Sequence, residues 1–477
     1  MQTPALADAA APAAEPPSVP ARPLRTAVLQ LFLLVLPVLA AVLLLRYGAG
    51  RPVTGTAAVP SGGAPAAVDP VPRLLTALPV ILVGCQLAGR AARRLGQPEV
   101  IGEITAGILL GPSLLGWVWP SGYAWLFPDY LTPVIGALSQ LGLVFFMVLI
   151  GHSLDRGALR GRGAQVLTVS QASIAVPFLA GVGLAVPMYR RFAPQGVSFL
   201  AFALFLAVSL SITAFPVLAR ILDDRGLGRT RLGALALSCA AVNDIAAWCL
   251  LVLVVSLAHG GGRMGPVVAV ALAAAFAVLM LLVVRPLLAR TDLARRVPPG
   301  LVLPGVLCGA MLSALATDSI GIHPIFGAFL FGVALPRGSE QLGRATGQLR
   351  AVTVTLLLPL FFVGTGLHTR FALLGADGGL WAWCALVTLV AVVAKWAPST
   401  AAARGSGSGW RESLALGALM NCRGLTELVV LAVGLQLGVI TPTLFTMLVV
   451  MTLVSTALTA PALALLRWRP SDRPSDR

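Results

Sequence analysis

The chain has 477 residues, 57% of them hydrophobic and only 11% charged. One soluble core cannot bury that much apolar surface, which excludes a soluble globular protein and makes the chain an all-α polytopic membrane protein. Its net charge of +16 does not point to nucleic acid, because the arginines alternate by loop instead of forming a patch.

In chain order, residues 1–26 are Ala/Pro-rich and read as a disordered tail. The segment 27–45 resembles a signal-peptide core, but it is long and has no clear cleavage site, so it reads as an extra transmembrane helix. A Gly/Pro/Ala linker, 46–72, precedes a membrane domain at 73–466. Windows of about 19 residues place further spans at roughly 73–89, 100–118, 133–152, 164–188, 197–222, 231–257, 265–289, 299–317, 321–336, 351–369, 379–403, 412–436 and 440–466. Each is near the length a helix needs to cross a bilayer. A short tail, 467–477, ends the chain, and no soluble nucleotide-binding or regulatory domain is expected after the last span.

With residue 1 inside, 25 of the 33 arginines fall at the cytoplasmic ends of these spans, as in Arg90, Arg93, Arg94, then Arg156, Arg160, Arg162, then Arg290, Arg295, Arg296. Seven fall on the other side and Arg423 lies within a span. This positive-inside asymmetry puts both termini in the cytoplasm of an inner-membrane protein and attracts anionic lipid. The six cysteines all sit in apolar spans without metal-ligand spacing, so no disulfide is expected.

The chain carries an internal echo. Residues 102–112 (GEITAGILLGP) are answered by 327–336 (GAFLFGVALP), and 143–151 (LVFFMVLIG) by 358–366 (LPLFFVGTG). The offsets are 225 for Gly107 to Gly332 and 216 for Phe145 to Phe361, seven spans apart, so the copies cross in opposite directions. The alternative is chance recurrence of Gly, Pro and Phe in apolar sequence. Inverted repeats build secondary transporters, whose sites lie near the midplane where interrupted helices meet. Two such breaks are visible. The string SLSITAFPVLAR from position 209 sets Ser209, Ser211, Thr213 and Pro216 in one span, and MNCRGLTEL from position 420 sets Asn421, Arg423, Gly424 and Glu427 in the span seven later. Proline removes a backbone donor and frees carbonyls, so the two breaks are expected to cross.

Ionisable groups inside a membrane are costly and are functional candidates by default. Asp244, preceded by Asn243, lies in the span after the first break. It is either a structural carboxylate paired permanently with Lys395 or Arg423, or a transport carboxylate that carries a proton and a cation in turn. The second reading is taken forward. Lys395 is the only lysine in the chain, which matters because a buried lysine can give up a proton and an arginine cannot. It is read as a partner of the Asn243–Asp244 site or as a side chain snorkelling from a span end. Arg423 and Glu427, at i and i+4, form either an ion pair holding the broken helix or direct ion contacts. Thr213 and Ser211 offer hydroxyl or freed carbonyl oxygens to a desolvated alkali cation. Glu103 reads as structural, His323 as a helix-start residue, and Asp223 and Asp224 as part of a solvated charge cluster.

The strings QPEVIGEITAGILLGPSLLG, SITAFPVLARIL, AAVNDIAAW, GIHPIFGAFLFGVALP, LLPLFFVGTGLHT and NCRGLTELVVLAVG resemble, in order, the motifs of the monovalent cation:proton antiporter family 2, within the sodium/proton exchanger superfamily. The resemblance covers 73–466. It implies the inverted-repeat antiporter fold: thirteen family helices plus the extra one, two crossing interrupted helices, a homodimeric scaffold and a core moving like an elevator. It implies that Asp244 binds cation and proton with Asn243 as its preceding partner, that Thr213 is the polar break of the first crossing helix, that Lys395 is the basic residue facing that site, and that Arg423 is the basic residue in the second crossing helix. Electrogenic members of the superfamily carry two adjacent aspartates, so Asn243 implies the electroneutral type. Glutathione-gated potassium efflux members carry Gln at that place and add a nucleotide-binding domain. The implied activity is exchange of K+ or Na+ for H+, with no cofactor, no nucleic acid and no enzymatic reaction. The alternative is a gated efflux pathway or channel-like protein controlled by a separate partner. An organic-anion symporter is disfavoured, because an anion site would place basic groups and helix N-termini at its centre.

Overall fold

The computed structural model describes residues 69–153, 163–228, 230–258, 266–290, 298–320, 323–375 and 378–466. The tail expected to be disordered at 1–26, the expected extra helix at 27–45, most of the expected linker at 46–72, the expected tail at 467–477, and Arg156, Arg160, Arg162, Arg295 and Arg296 lie outside those residues.

Among the described residues the secondary structure is entirely helical: α1 Val71–Arg94, α2 Glu99–Leu110, α3 Leu115–Val118, α4 Pro120–Leu126, α5 Thr132–Ser153, α6 Gly163–Phe192, α7 Phe199–Ser211, α8 Phe215–Asp224, α9 Arg231–Ala258, α10 Pro266–Val278, α11 Arg285–Arg290, α12 Pro299–Ser319, α13 Pro324–Ala334, α14 Glu340–Val352, α15 Leu358–His368, α16 Gly378–Gly405, α17 Trp410–Met420, α18 Leu425–Gln436 and α19 Pro442–Leu465. Among the described residues, twelve helical stretches are long and apolar enough to cross a membrane. They fall where the apolar windows place spans, except at 321–336. There α13 has 11 residues, about 16 Å at 1.5 Å per residue, too short to cross alone. It starts at Pro324, capped by the His323 side chain, and its C-cap Leu335 is followed by Pro336.

The helices pack as two sets. One contains α1, α2, α5, α12, α13, α14 and α15; the other contains α6, α7, α8, α9, α16, α17, α18 and α19. The α10–α11 stretch, joined through a π-helical turn at Leu279–Val284, contacts α9 in one set and α13 in the other. The internal echo has a packing counterpart within the first set. Helix α2 lies on α15 and α5 on α13, so each segment of one copy packs on the other segment of its mate. Small residues permit this approach: a Cβ on Gly107 would collide with the Phe362 carbonyl, and one on Gly332 with the Val148 carbonyl. Exposed positions on these helices carry large apolar side chains, among them Leu179, Leu282, Leu312 and Leu389, as a surface meeting lipid would.

Two spans break. Between α7 and α8 the chain is non-helical at Ile212, Thr213 and Ala214, and α8 restarts with Pro216 in its first turn, where the missing N–H is not needed. Between α17 and α18 the break ends at Gly424, whose φ of 150° suits a residue without a Cβ. The breaks touch directly, Ala214 N–H donating to the Cys422 carbonyl at 2.9 Å.

Candidate functional site

A broken helix exposes carbonyls at the C-terminal end of its first half and N–H groups at the N-terminal end of its second half. Here the two kinds of orphan meet opposite charges, as the helix dipole favours. The C-terminal carbonyls of α7 collect cations. Arg423 Nη1 donates to Ser209 O at 2.7 Å and Nη2 to Leu210 O at 2.5 Å. Lys395 Nζ donates to Ser211 O, and also to Ser173 O at 3.1 Å. The N-terminal end of α8 collects an anion: Phe215 N–H donates to Asp244 Oδ2 at 3.3 Å.

Asp244 comes from α9 and is 1% exposed. Its other oxygen, Oδ1, has no partner. Neither Lys395 nor Arg423 forms an ion pair with it, so the permanently paired alternative finds no contact to support it. Asn243, also 1% exposed, donates through Nδ2 to Ser173 Oγ at 2.7 Å and to Thr213 Oγ1 at 3.1 Å. Thr213 in turn donates to Met420 O at 3.1 Å, binding the first break to the second. The structure therefore brings Asp244, Asn243, Thr213 and Lys395 to one place. Ser211 contributes its carbonyl rather than its side chain, because its hydroxyl donates to Ala207 O at 2.7 Å.

Arg423 and Glu427 are both fully buried and pair at 3.2 Å. Glu427 Oε1 also accepts from Ser209 Oγ at 2.5 Å. Thr456 braces the same turn, accepting from Arg423 N–H and donating to Arg423 O, each at 2.9 Å. This pair ties α18 to the end of α7, in keeping with the ion-pair alternative.

Cavities lie between the helix sets among the described residues. One of about 560 Å³ is lined by Glu103, Ser153, Arg220, Asp224 and Arg350 and reaches Phe215 and Pro216. A smaller one of about 240 Å³ lies at the opposite ends of α5, α15 and α18, lined by Gln140, His323, His368 and Gln436. The larger cavity thus reaches the residue whose N–H holds Asp244. Near it Glu99 binds both Arg93, at 2.5 Å, and Arg220, bridging the sets. Arg220 thereby links Glu99 to the charge cluster of Asp223 and Asp224, with which it lines the larger cavity.

The motifs do not contain Ser173. Its signal is modest: Ser170 and Ser173 are hydroxyls spaced i, i+3 in a stretch that also carries Gln165, Thr168 and Gln171, and Ser170 Oγ donates to Cys239 O on α9. Phe215 was not recoverable as a site residue at all, since it acts through its backbone.

The model of the transmembrane sodium/hydrogen exchanger family matches residues 77–466. The chain is 40% identical over 394 residues to the Na+/H+ antiporter NhaS4 of Synechocystis sp., covering 81% of this chain and 96% of that one. It is 38% identical to cation/H+ antiporter 20 of Arabidopsis thaliana, over 82% of this chain but 48% of the plant protein. It is 34% identical to K+/H+ antiporter 1 of Saccharomyces cerevisiae, over 80% and 45% respectively, so it spans about half the length of these two longer relatives. The sodium proton antiporter MjNhaP1 of Methanocaldococcus jannaschii shares the fold, with a TM-score of 0.60 at 17% identity over 83% of this chain and 97% of that one. On the family match and the identity to NhaS4 together, the chain belongs to the sodium/hydrogen exchanger family of transmembrane proteins.

Proposed function

We propose that the protein is a secondary active antiporter exchanging a monovalent cation, K+ or Na+, for H+, one for one, with Asp244 as the shared binding group. The observation that carries this reading is a buried carboxylate with an unpartnered oxygen where two broken helices meet. A single carboxylate holds a proton or a monovalent cation but not both, and that competition enforces exchange. Asn243 and Thr213 support the site, while Lys395, Arg423 and Glu427 hold the break around it. The activities named for the cyanobacterial, plant and yeast relatives support the substrate class.

In this reading the arginine-rich end is cytoplasmic, and the larger cavity is the cytoplasmic access route to the α7–α8 break. The set containing Asp244 moves against the other as an elevator. The cavities between the sets and the few contacts that join them support that division. The test is transport in proteoliposomes under an imposed pH gradient with Li+, Na+, K+ and Rb+ in turn. Asp244→Asn should abolish exchange while the protein still folds and inserts, because the change keeps shape but removes both the proton site and the cation's counter-charge. Near-wild-type proton flux in that variant would remove Asp244 from the mechanism.

A further inference from the structure

We infer that Ser173, a residue outside every motif that carries the resemblance, is a positioning residue for the exchange: its hydroxyl fixes which way the Asn243 amide faces and so presents Asn243 Oδ1 as a neutral oxygen ligand for the desolvated cation. The inference rests on the reading of Asp244 as the exchange carboxylate.

The argument is one of proton supply. A serine or threonine hydroxyl has one proton to give. Ser173 gives its proton to Ser170 O at 3.0 Å, and Thr213 gives its own to Met420 O at 3.1 Å. Both oxygens can then only accept. Each faces the Asn243 side chain, at 2.7 and 3.1 Å. With the amide turned the other way, Oδ1 would confront two oxygens that have no proton to offer. Facing the NH2 group to Ser173 and Thr213 is the orientation that keeps all four of these contacts, each with one donor and one acceptor.

Both amide hydrogens are thereby spent, and Oδ1 is left buried without a partner. Asp244 Oδ1 is buried and unpartnered as well. Buried acceptors normally find a donor, and two orphans on adjacent residues, one neutral and one charged, are the hard oxygens that replace a cation's hydration shell. Ser173 is suited to a specific test because its two roles separate. Its backbone carbonyl receives Lys395, and a side-chain substitution leaves that contact in place.

The experiment uses the purified full chain, read by cation-dependent thermal stabilisation in detergent and by exchange kinetics in proteoliposomes, with K+ and Na+ as probes. Ser173→Ala should raise the half-saturating cation concentration about five-fold in both assays, the factor corresponding to one hydrogen bond of about 1 kcal/mol, with the maximal exchange rate within about two-fold of wild type. Asn243→Ala should raise the half-saturating concentration at least as far, and adding Ser173→Ala to it should change nothing further. A purely packing role would lower the melting temperature without moving half-saturation. An unchanged half-saturating concentration in Ser173→Ala, or additive effects in the double variant, overturns the inference. Should Ser173→Ala not yield folded protein, Ser173→Cys, whose thiol is a weak acceptor, carries the same expectation and the same refutation. Asp244→Asn separates the two levels. If cation still stabilises that variant, the reading of Asp244 fails; if it does not, while Ser173→Ala behaves as wild type, only the role of Ser173 fails.

Discussion

The Arg423–Glu427 pair separates a structural from an ion-contacting role, because removing one partner and removing both should differ in a definite order. Both side chains are 0% exposed, and their ionic contact is to each other. Breaking a buried pair by removing one member costs about 3–5 kcal/mol, since the survivor is left uncompensated. Glu427→Gln should fall at the low end, about 3 kcal/mol, because Arg423 keeps the carbonyls of Ser209 and Leu210. Arg423→Met should fall at the high end, about 5 kcal/mol, because it strands Glu427 and strips two carbonyls of their donors at once. The double variant Arg423→Met/Glu427→Met leaves the two carbonyls and the Ser209 hydroxyl without partners, about 3 kcal/mol at roughly 1 kcal/mol each. The double should thus be more stable than the Arg423 single. Reversible unfolding in mixed micelles, followed by tryptophan fluorescence, gives the three differences. Additive losses would refute the pairing argument. A Glu427→Gln protein of wild-type stability but altered half-saturating cation concentration would instead assign Glu427 to the ion.

Exchange should be voltage-independent: an elementary charge crossing 100 mV is worth about 2.3 kcal/mol, so a flux reversal point that moves when vesicles are clamped at different potentials would rule out one-for-one exchange. Gly107→Ala and Gly332→Ala should each destabilise by about 1–3 kcal/mol, the usual cost of overpacking, because each new methyl meets a backbone carbonyl of the crossing helix. Gly183→Ala in α6, with nothing within 4 Å of the added carbon, should not destabilise in the same unfolding assay, which makes it the control. Gly424→Ala should destabilise by a similar amount, since φ of 150° and contact with Val217 both oppose a side chain, and a stable Gly424→Ala would mean that the second break relaxes freely.

Much of this architecture is legible in the sequence because lipid imposes strong rules. Apolar windows place the twelve long helical stretches among the described residues but overpredict 321–336, Pro216 marks one break and Gly424 the other, and Asp244 stands out as an ionisable group in an apolar span. The order of helices across space was less accessible. Nothing in GEITAGILLGP says that Gly107 will lie on Phe362, because the echo relates like segments while packing joins unlike ones. The partners of Lys395 were hidden for a different reason. Sequence displays side chains, and a search for its counter-charge returns Asp244, but its hydrogen bonds go to the carbonyls of Ser173 and Ser211. The same blindness covers Phe215, whose contribution is an N–H that every non-proline residue owns.

The placement of Lys395 bears on the charge moved per cycle. Were it paired with Asp244, an arriving cation would have to displace an ammonium from the carboxylate, and the released lysine could shed its own proton, making two protons per cation. Here Lys395 instead supplies charge to the C-terminal end of α7, where a cation near the last turn is favoured, and Asp244 is held by the N-terminal end of α8. The two side chains are held at opposite ends of one interrupted helix, so in the proposed exchange a cation would load onto Asp244 without dislodging Lys395. On the proposal that Asp244 is the exchange carboxylate, loading by either substrate would leave the contacts of Lys395 intact, the exchanged proton would be the one on Asp244, and the loaded site would carry the same charge in both directions of the cycle.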